Sequence, residues 1–264
     1  MELINVSILE QSDFVKDIYS YQHKLFSRFE LPVLADIINK HNIKSVLDIG
    51  TGEGTFITDF ASKNKNLKIL AIDGDKKLIS LAKSRNENKN LLFESVLFNS
   101  KFSQKKFDLI LARFSVEHMN NPTSFIEEVK KRLNPDGHLI VTEYLIEWND
   151  ENTKNWKFFR KKELELYTKF GSHPRLPLIL PQIFQKNSLQ KIEAKINLIS
   201  PSTSNVNDFN NLIVAYVLGY SKIAPDVFTP LIVKRFLKYL NEDKNQNYSE
   251  DRLIISLTIG QNSK

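Results

Sequence analysis

The chain has 264 residues, 41% hydrophobic and 26% charged, an ordinary globular composition that suits one large domain or a domain with a cap. It has no cysteine, which excludes disulfides, thiolate zinc sites and cysteine nucleophiles, and no apolar run long enough to span a bilayer. The net charge of +6 is partly local: residues 151–175 hold seven Lys or Arg against three Glu, which reads as a solvated helix face, with attraction to an acidic substrate or nucleic acid as the sharper alternative.

The opening segment has an early acid and no apolar core, so no secretory signal is expected and the location is expected to be cytoplasmic. From Ser12, a candidate N-cap, to Glu30 a helix is predicted, with Phe14, Ile18, Tyr21, Leu25 and Phe29 on one face. Pro32 is expected to open a second helix running to Lys40. Strands are then predicted at Ser45–Ile49, Lys68–Ile72, Asn90–Glu94, Phe107–Ala112 and His138–Glu143, with helices at Thr55–Lys63, Lys76–Asn86 and Pro122–Leu133. The strands are short apolar runs, as a parallel sheet covered on both faces requires. This alternation predicts a doubly wound α/β sheet.

After Glu143 the alternation breaks. A helix is predicted over 151–170, a proline-punctuated piece over 172–184, a strand at Lys191–Ser200, helices over 207–222 and 226–240, and a last strand at Asp251–Ile259. The polar runs 200–208 and 241–251 read as loops. The expected organisation is a helical cap over 1–42, a ligand-binding core over 43–145, a lid over 146–188 and the rest of the sheet, with inserted helices, over 189–264.

The first strand leads into "VLDIGTGEGTF", residues 46–56. Three glycines there permit positive φ and remove Cβ atoms that would block a ligand at the carboxyl end of the sheet. A triphosphate P-loop needs a Lys-Ser or Lys-Thr pair that is absent. A dinucleotide loop needs a third glycine where Thr55 stands, and Gly54 falls one residue early.

The same stretch resembles the first motif of class I S-adenosylmethionine-dependent methyltransferases: an apolar pair, an acid, then Gly-x-Gly-x-Gly. "LAIDGDKKLISLAK" (70–83) is similar to that family's second strand and following helix, and "FDLILARFSVEHMNNPTSFIEEVKKRLNPDGHLIVTEY" (107–144) to its fourth and fifth strands. The resemblance covers residues 43–145 and extends weakly to 171–200. It implies a Rossmann-like, mostly parallel seven-stranded sheet with helical lid elements. The implied cofactor is S-adenosyl-L-methionine, leaving as S-adenosyl-L-homocysteine.

On that resemblance Asp48 offers an anion to the cofactor's ammonium, and the loop of Gly50, Thr51, Gly52 and Gly54 holds the methionine end. Asp73, followed by Gly74, is placed to accept both ribose hydroxyls, while Asp75 reads as the N-cap of the next helix. The family's acid after the third strand is replaced by Val96 or Leu97, which leaves adenine to a backbone carbonyl, Ser95, Asn99 or packing. Arg113 is a further residue of the cofactor region, expected to pair with Glu117.

A methyl sulfonium is already a strong electrophile, so positioning supplies much of the rate and a base is needed only if the acceptor loses a proton. His118, Glu143 and Tyr144 are the catalytic candidates, and Tyr19, Gln22 and His23 are candidates to close over the cofactor. His41, His138 and His173 give no metal-ligand spacing, so no metal is expected. The reading is an enzyme that methylates O, N or C of a small metabolite. The alternatives are an RNA or protein methyltransferase and a non-catalytic S-adenosylmethionine binder. A nucleic-acid acceptor is disfavoured because no Asn/Asp-Pro-Pro-aromatic tetrapeptide follows strand four.

Overall fold

A computed structural model describes residues 14–147, 153–202, 205–242 and 252–262 of the chain. The strands are β1 (Ser45–Ile49), β2 (Lys68–Asp73), β3 (Leu91–Ser95), β4 (Phe107–Arg113), β5 (Leu133–Tyr144), β6 (Leu189–Ile199) and β7 (Leu253–Asn262). They form one sheet in the order β3-β2-β1-β4-β5-β7-β6, in which β7 alone runs antiparallel to its neighbours. The order reverses between β1 and β4, so the loops after those strands open the crevice where doubly wound sheets bind ligands.

Each strand serves two faces because its side chains alternate. On β4, Leu109 and Leu111 join a core with Phe56, Ile57 and Phe60 of α2 (Thr55–Lys63), Ile79 and Ala82 of α3 (Lys76–Arg85), and Leu34 and Ile37 of α1 (Phe14–His41). Ile110 and Ala112 join the opposite core with Phe125, Ile126 and Val129 of α4 (Pro122–Lys131) and Leu180 and Phe184 of α6 (Leu176–Lys186). A third core lies beyond the carboxyl end of β5. There Tyr144 meets Phe26 of α1, Trp156 and Phe159 of α5 (Lys154–Lys169), Phe209 and Tyr216 of α7 (Val206–Ile223) and Phe236 of α8 (Pro230–Glu242).

Three expectations change. Pro32 does not divide the N-terminal helix: α1 is continuous through it. An interior proline costs about 3 kcal/mol, but α1 buries Leu25 and Phe26 in one core and Leu34 and Ile37 in another, so both halves are anchored on one axis. The piece around Pro177 and Pro181 is also helical, as α6, and it packs on the sheet, so this half of the segment expected as a lid over 146–188 belongs to the sheet's own core. In β5, Leu133 already pairs with Phe107, the chain then bulges, and pairing resumes at His138 opposite Leu109. The left-handed residue of that bulge is Asp136. The Ser12 cap, the polar segment past residue 242 and the strand start at Asp251 lie outside the described residues.

The basic run of 151–175 is not a uniform solvated face. Arg160 is buried against Glu163, while Lys162 pairs with Glu165, Lys169 with Asp226 and Arg175 with Glu147.

At the opposite end of the sheet, the His138 ring lies 4.3 Å from that of His41. Burial, with His41 and Lys191 next, holds the His138 pKa down to about 4. Unfolded histidine titrates near ~6.5, so the unfolded chain binds the extra proton. Stability is therefore full above that value and falls as pH drops toward 4. Urea midpoints should show His138→Asn losing less stability than wild type between about pH 7 and 5, by up to about 2 kcal/mol. Equal losses in the two proteins would contradict this origin.

Candidate functional site

The glycine loop is tied to the neighbouring strand from both sides. Gly50 and Thr51 donate their amides to the Ile72 carbonyl at 2.9 and 3.1 Å, and Gly52 donates to Asp73 Oδ2 at 2.9 Å. Gly52 adopts φ 58°, and a Cβ there would stand 2.8 Å from the Tyr19 ring of α1, so the position excludes side chains on both counts. Gly54, at φ 81°, caps α2. Within the loop Glu53 is buried, accepting from Thr55 Oγ1 at 2.6 Å and pairing with Arg85 at 2.7 Å. Glu53 is a loop anchor that the motif spacing does not reveal.

Asp73 ends β2 with one backbone amide on each carboxylate oxygen, Gly52 on Oδ2 and Asp75 on Oδ1. A carboxylate oxygen accepts two bonds, and with the Gly74 amide also acting on the group, the carboxylate keeps room for a hydroxyl donor. Burial raises the Asp73 pKa, and those amides oppose it. Asp75 caps α3, accepting from the amides of Lys77 and Leu78 at 2.7 and 3.2 Å. Gly74, between the two acids, is exposed.

Asp48 is buried at the end of β1. Burial pushes its carboxyl up to about 6, against the opposing pull of Thr51 and Arg113. Beside it the Thr51 hydroxyl is buried, and its interaction with the Asp48 carboxyl is the first of those opposing pulls. A desolvated carboxyl beside the glycine loop is what an ammonium-bearing ligand would satisfy. At the next strand end, Val96 donates its amide to the Asp73 carbonyl at 2.9 Å, which staples β3 beside the acid. Leu97 is 46% exposed there, Ser95 is exposed, and Asn99 Oδ1 is used by the Lys101 amide at 2.8 Å.

Arg113 does not pair with Glu117. Its Nε and Nη2 donate to the two oxygens of Glu30 on α1, both at 2.7 Å, and its guanidinium lies 3.7 Å from the Phe56 ring centre. The continuous α1 brings Glu30 to this spot, so the bidentate fork closes between helix and sheet. On the same helix Gln22 donates to Tyr216 at 3.0 Å, and His23 lies 3.4 Å from Asp59. Of the three helix residues expected over the cofactor, Tyr19 is the one against the loop; burial and the neighbouring Asp73, Glu53 and Asp75 raise its pKa.

Glu143 is fully buried. Its Oε1 accepts the successive amides of Ser115, Val116 and Glu117 at 3.1, 2.6 and 3.2 Å, where the chain leaves β4 into a short 3-10 turn, Val116–His118. Through Oε1 it clamps that turn, while its other oxygen, Oε2, is buried with no hydrogen-bond partner. Burial pushes its carboxyl up to about 8, opposed by those amides. The turn carries Ser115 onto Gly50, where an added Cβ would come within 2.8 Å of Ser115. Phe114 precedes it at φ 48°, a strained value for a bulky residue, and stacks on Tyr144 at 4.7 Å. Tyr144 is buried, its hydroxyl against that of Tyr216, so it too faces the core.

His118 keeps 38% of its side chain exposed; Nδ1 contacts Ser172 Oγ at 3.1 Å and Nε2 lies 3.5 Å from Glu117 Oε1. Burial of the ring among its neighbours, then His173, lowers its pKa to about 4, so it is neutral at pH 7. Glu117 itself, with Glu163, Arg160, Tyr167 and Tyr220, forms a polar cluster that sequence reasoning missed. The i,i+3 spacing of Arg160 and Glu163 reads as an ordinary surface pair, and nothing in the sequence signals that it is buried.

A family model described as a methyltransferase domain matches residues 40–196. The ubiquinone biosynthesis O-methyltransferase of Pelagibacter ubique is 27% identical over 202 residues, 69% of this chain and 75% of that protein. The mitochondrial ubiquinone biosynthesis O-methyltransferase of Dictyostelium discoideum is 26% identical, over 66% of this chain and 58% of that protein. Among solved structures, Haemonchus contortus phosphoethanolamine N-methyltransferase 2 in complex with S-adenosyl-L-methionine superposes with a TM-score of 0.61 at 14% identity, over 100% of this chain and 60% of that one. The chain thus spans under two thirds of the last two proteins, and the structural likeness concerns the fold.

If the Glu143 clamp holds the turn, Glu143→Ala orphans three amides at about 1–3 kcal/mol each and should destabilise the protein by at least about 3 kcal/mol in urea unfolding. Glu143→Gln keeps a carbonyl acceptor and should cost less than half as much. An alanine variant within about 1 kcal/mol of wild type would refute the clamp.

Proposed function

The chain belongs to the methyltransferase-domain family, an enzyme family that uses S-adenosylmethionine, and from that premise we propose that it methylates a small metabolite held beneath α1, α5 and α7. The observation that carries the reading is Asp73, whose two carboxylate oxygens are each oriented by a backbone amide at the end of β2. That is the arrangement two adjacent ribose hydroxyls require. The buried Asp48 carboxyl fits the ammonium of the methionine end, and the Gly52 backbone lets it approach.

The bound sulfonium supplies an activated methyl group. The protein's part is to orient the acceptor in line, exclude water and accept a proton where the acceptor carries one. Neutral His118, open on one side, is suited to pass a proton outward. The helical roof supports a small, enclosed acceptor rather than a polymer, and the ion pairs along 160–175 use much of the local positive charge that a nucleic acid would need. The names of the relatives divide between oxygen and nitrogen as the methylated atom.

Calorimetry should find micromolar binding of S-adenosylmethionine or S-adenosylhomocysteine. Asp73→Ala should weaken it about tenfold or more, the loss of charge-assisted hydrogen bonds. Binding of NADH with no binding of either sulfur compound would reject the reading. With methyl-labelled cofactor, label should enter a small-metabolite extract and not total RNA; label in RNA alone would reverse the choice of acceptor.

A further inference from the structure

The sheet ends on β6, and the outer edge of that strand is open. Among the described residues β7 is the only strand paired with β6, so every second residue of β6 turns its amide and carbonyl outward. A bulge between Gln190 and Glu193, with Lys191 left-handed at φ 47°, leads into a stretch that pairs with β7 without a break from Glu193 to Ile199. One face of this stretch is apolar. Ile192, Ala194, Ile196 and Leu198 share it. Ile192 packs against the core that includes Leu180 and Phe184 of α6, whereas Ile196 and Leu198 are 59% and 48% exposed. Leu178 and Ile179 of α6 are exposed as well, so half of the eight exposed large hydrophobics among the described residues lie on β6 and the helix packed on it.

The other face identifies the partner by its charges. There Glu193 and Lys195 stand 3.7 Å apart, both well exposed. A second copy related by a two-fold axis normal to the sheet pairs antiparallel, and directly opposite residues belong to the same hydrogen-bonding class, so the axis passes through a residue position. An axis at Glu193 sets two glutamates face to face, and an axis at Lys195 sets two lysines face to face. An axis at Ile196 leaves Lys195 opposite Asn197 and Glu193 opposite Ile199. An axis at Ala194 places Glu193 opposite Lys195 of the second copy, twice, and Ile192 opposite Ile196, twice. That register also puts the smallest side chain of the stretch against its own copy.

We propose that β6 is the interface of a homodimer, in which a second copy of the chain adds its own β6 antiparallel across a two-fold axis at Ala194 and the two sheets become one. Lysine on an open edge ordinarily repels a neighbouring strand. Here Glu193, two residues away, turns that repulsion into attraction in one register. The pattern Glu-Ala-Lys is its own complement when read antiparallel, which suits a second copy better than an unrelated strand.

The interface lies beyond β5 and β7 from the crevice at β1 and β4, so none of the loop and strand-end residues around Gly52, Asp73 and Asp48 takes part in it. The dimer therefore stands or falls independently of what the crevice binds.

Sedimentation at low salt should give twice the chain mass at about 50 µM protein. Lys195→Glu and Glu193→Lys each set like charges opposite one another twice, and each should raise the dimer dissociation constant at least about tenfold. The double variant Glu193→Lys with Lys195→Glu should return to within about threefold of wild type. Matching far-UV circular dichroism shows that each variant is folded. The chain has no cysteine, so Ala194→Cys introduces a single thiol, and a short bismaleimide should join it to its copy. Leu92→Cys, exposed on β3 at the opposite edge of the sheet, should stay monomeric under the same treatment. Wild-type protein that sediments as a monomer would overturn the proposal, and is also the result if another part of the chain covers β6. Single variants that dimerise like wild type, a double variant no better than the singles, or cross-linking as strong through Leu92→Cys would each overturn it too.

Discussion

One carboxylate oxygen organises the ligand end of this sheet. Glu143 Oε1 gathers three successive amides where the chain turns away from β4. Those donors begin a 3-10 turn and have no intrahelical partners, and being buried they would otherwise go unpaired. The clamp sets where Ser115 meets the glycine loop, where Glu117 is presented and where His118 opens.

Burial then sets the electrostatics. The carboxyls of Asp48, Asp73, Glu117, Glu143 and Glu163 are all raised, and in each case desolvation is the leading cause. His118 is lowered for the same reason. The groups at the crevice are therefore held closer to neutrality than they would be in water, which favours ligands that return charge or hydrogen-bond donors to them.

Much of this was legible in the sequence, and the boundary is physical. The strands and core helices follow from period and glycine spacing, and Asp73 and Asp75 sit where strand end and helix cap put them. What escaped depends on contacts between distant segments. Pro32 signals a break, yet the helix runs through because its two halves dock on separate cores. Arg113 has an acid four residues away in Glu117, but its partner is Glu30, eighty-three residues distant. Glu143 and Tyr144 stand at the carboxyl end of a strand where ligands bind, and only packing shows that both turn into the protein. In the proline-rich piece the sequence suggests an irregular lid, while Leu180 and Phe184 draw it onto the sheet as a helix.

The placement of β7 has a consequence for how the chain reaches this state. It is the last of the described strands in chain order, yet it lies between β5 and β6 and pairs with both. As the chain leaves the ribosome, β5 therefore presents an open edge through the synthesis of more than a hundred further residues, and β6 has no strand to pair with until residues 253–262 emerge. Open edges of this kind are templates for wrong pairing. The α5, α7 and α8 cap, which packs on Ile255 and Leu257, cannot close before that final insertion. The cap is thus among the last parts of the protein to become ordered.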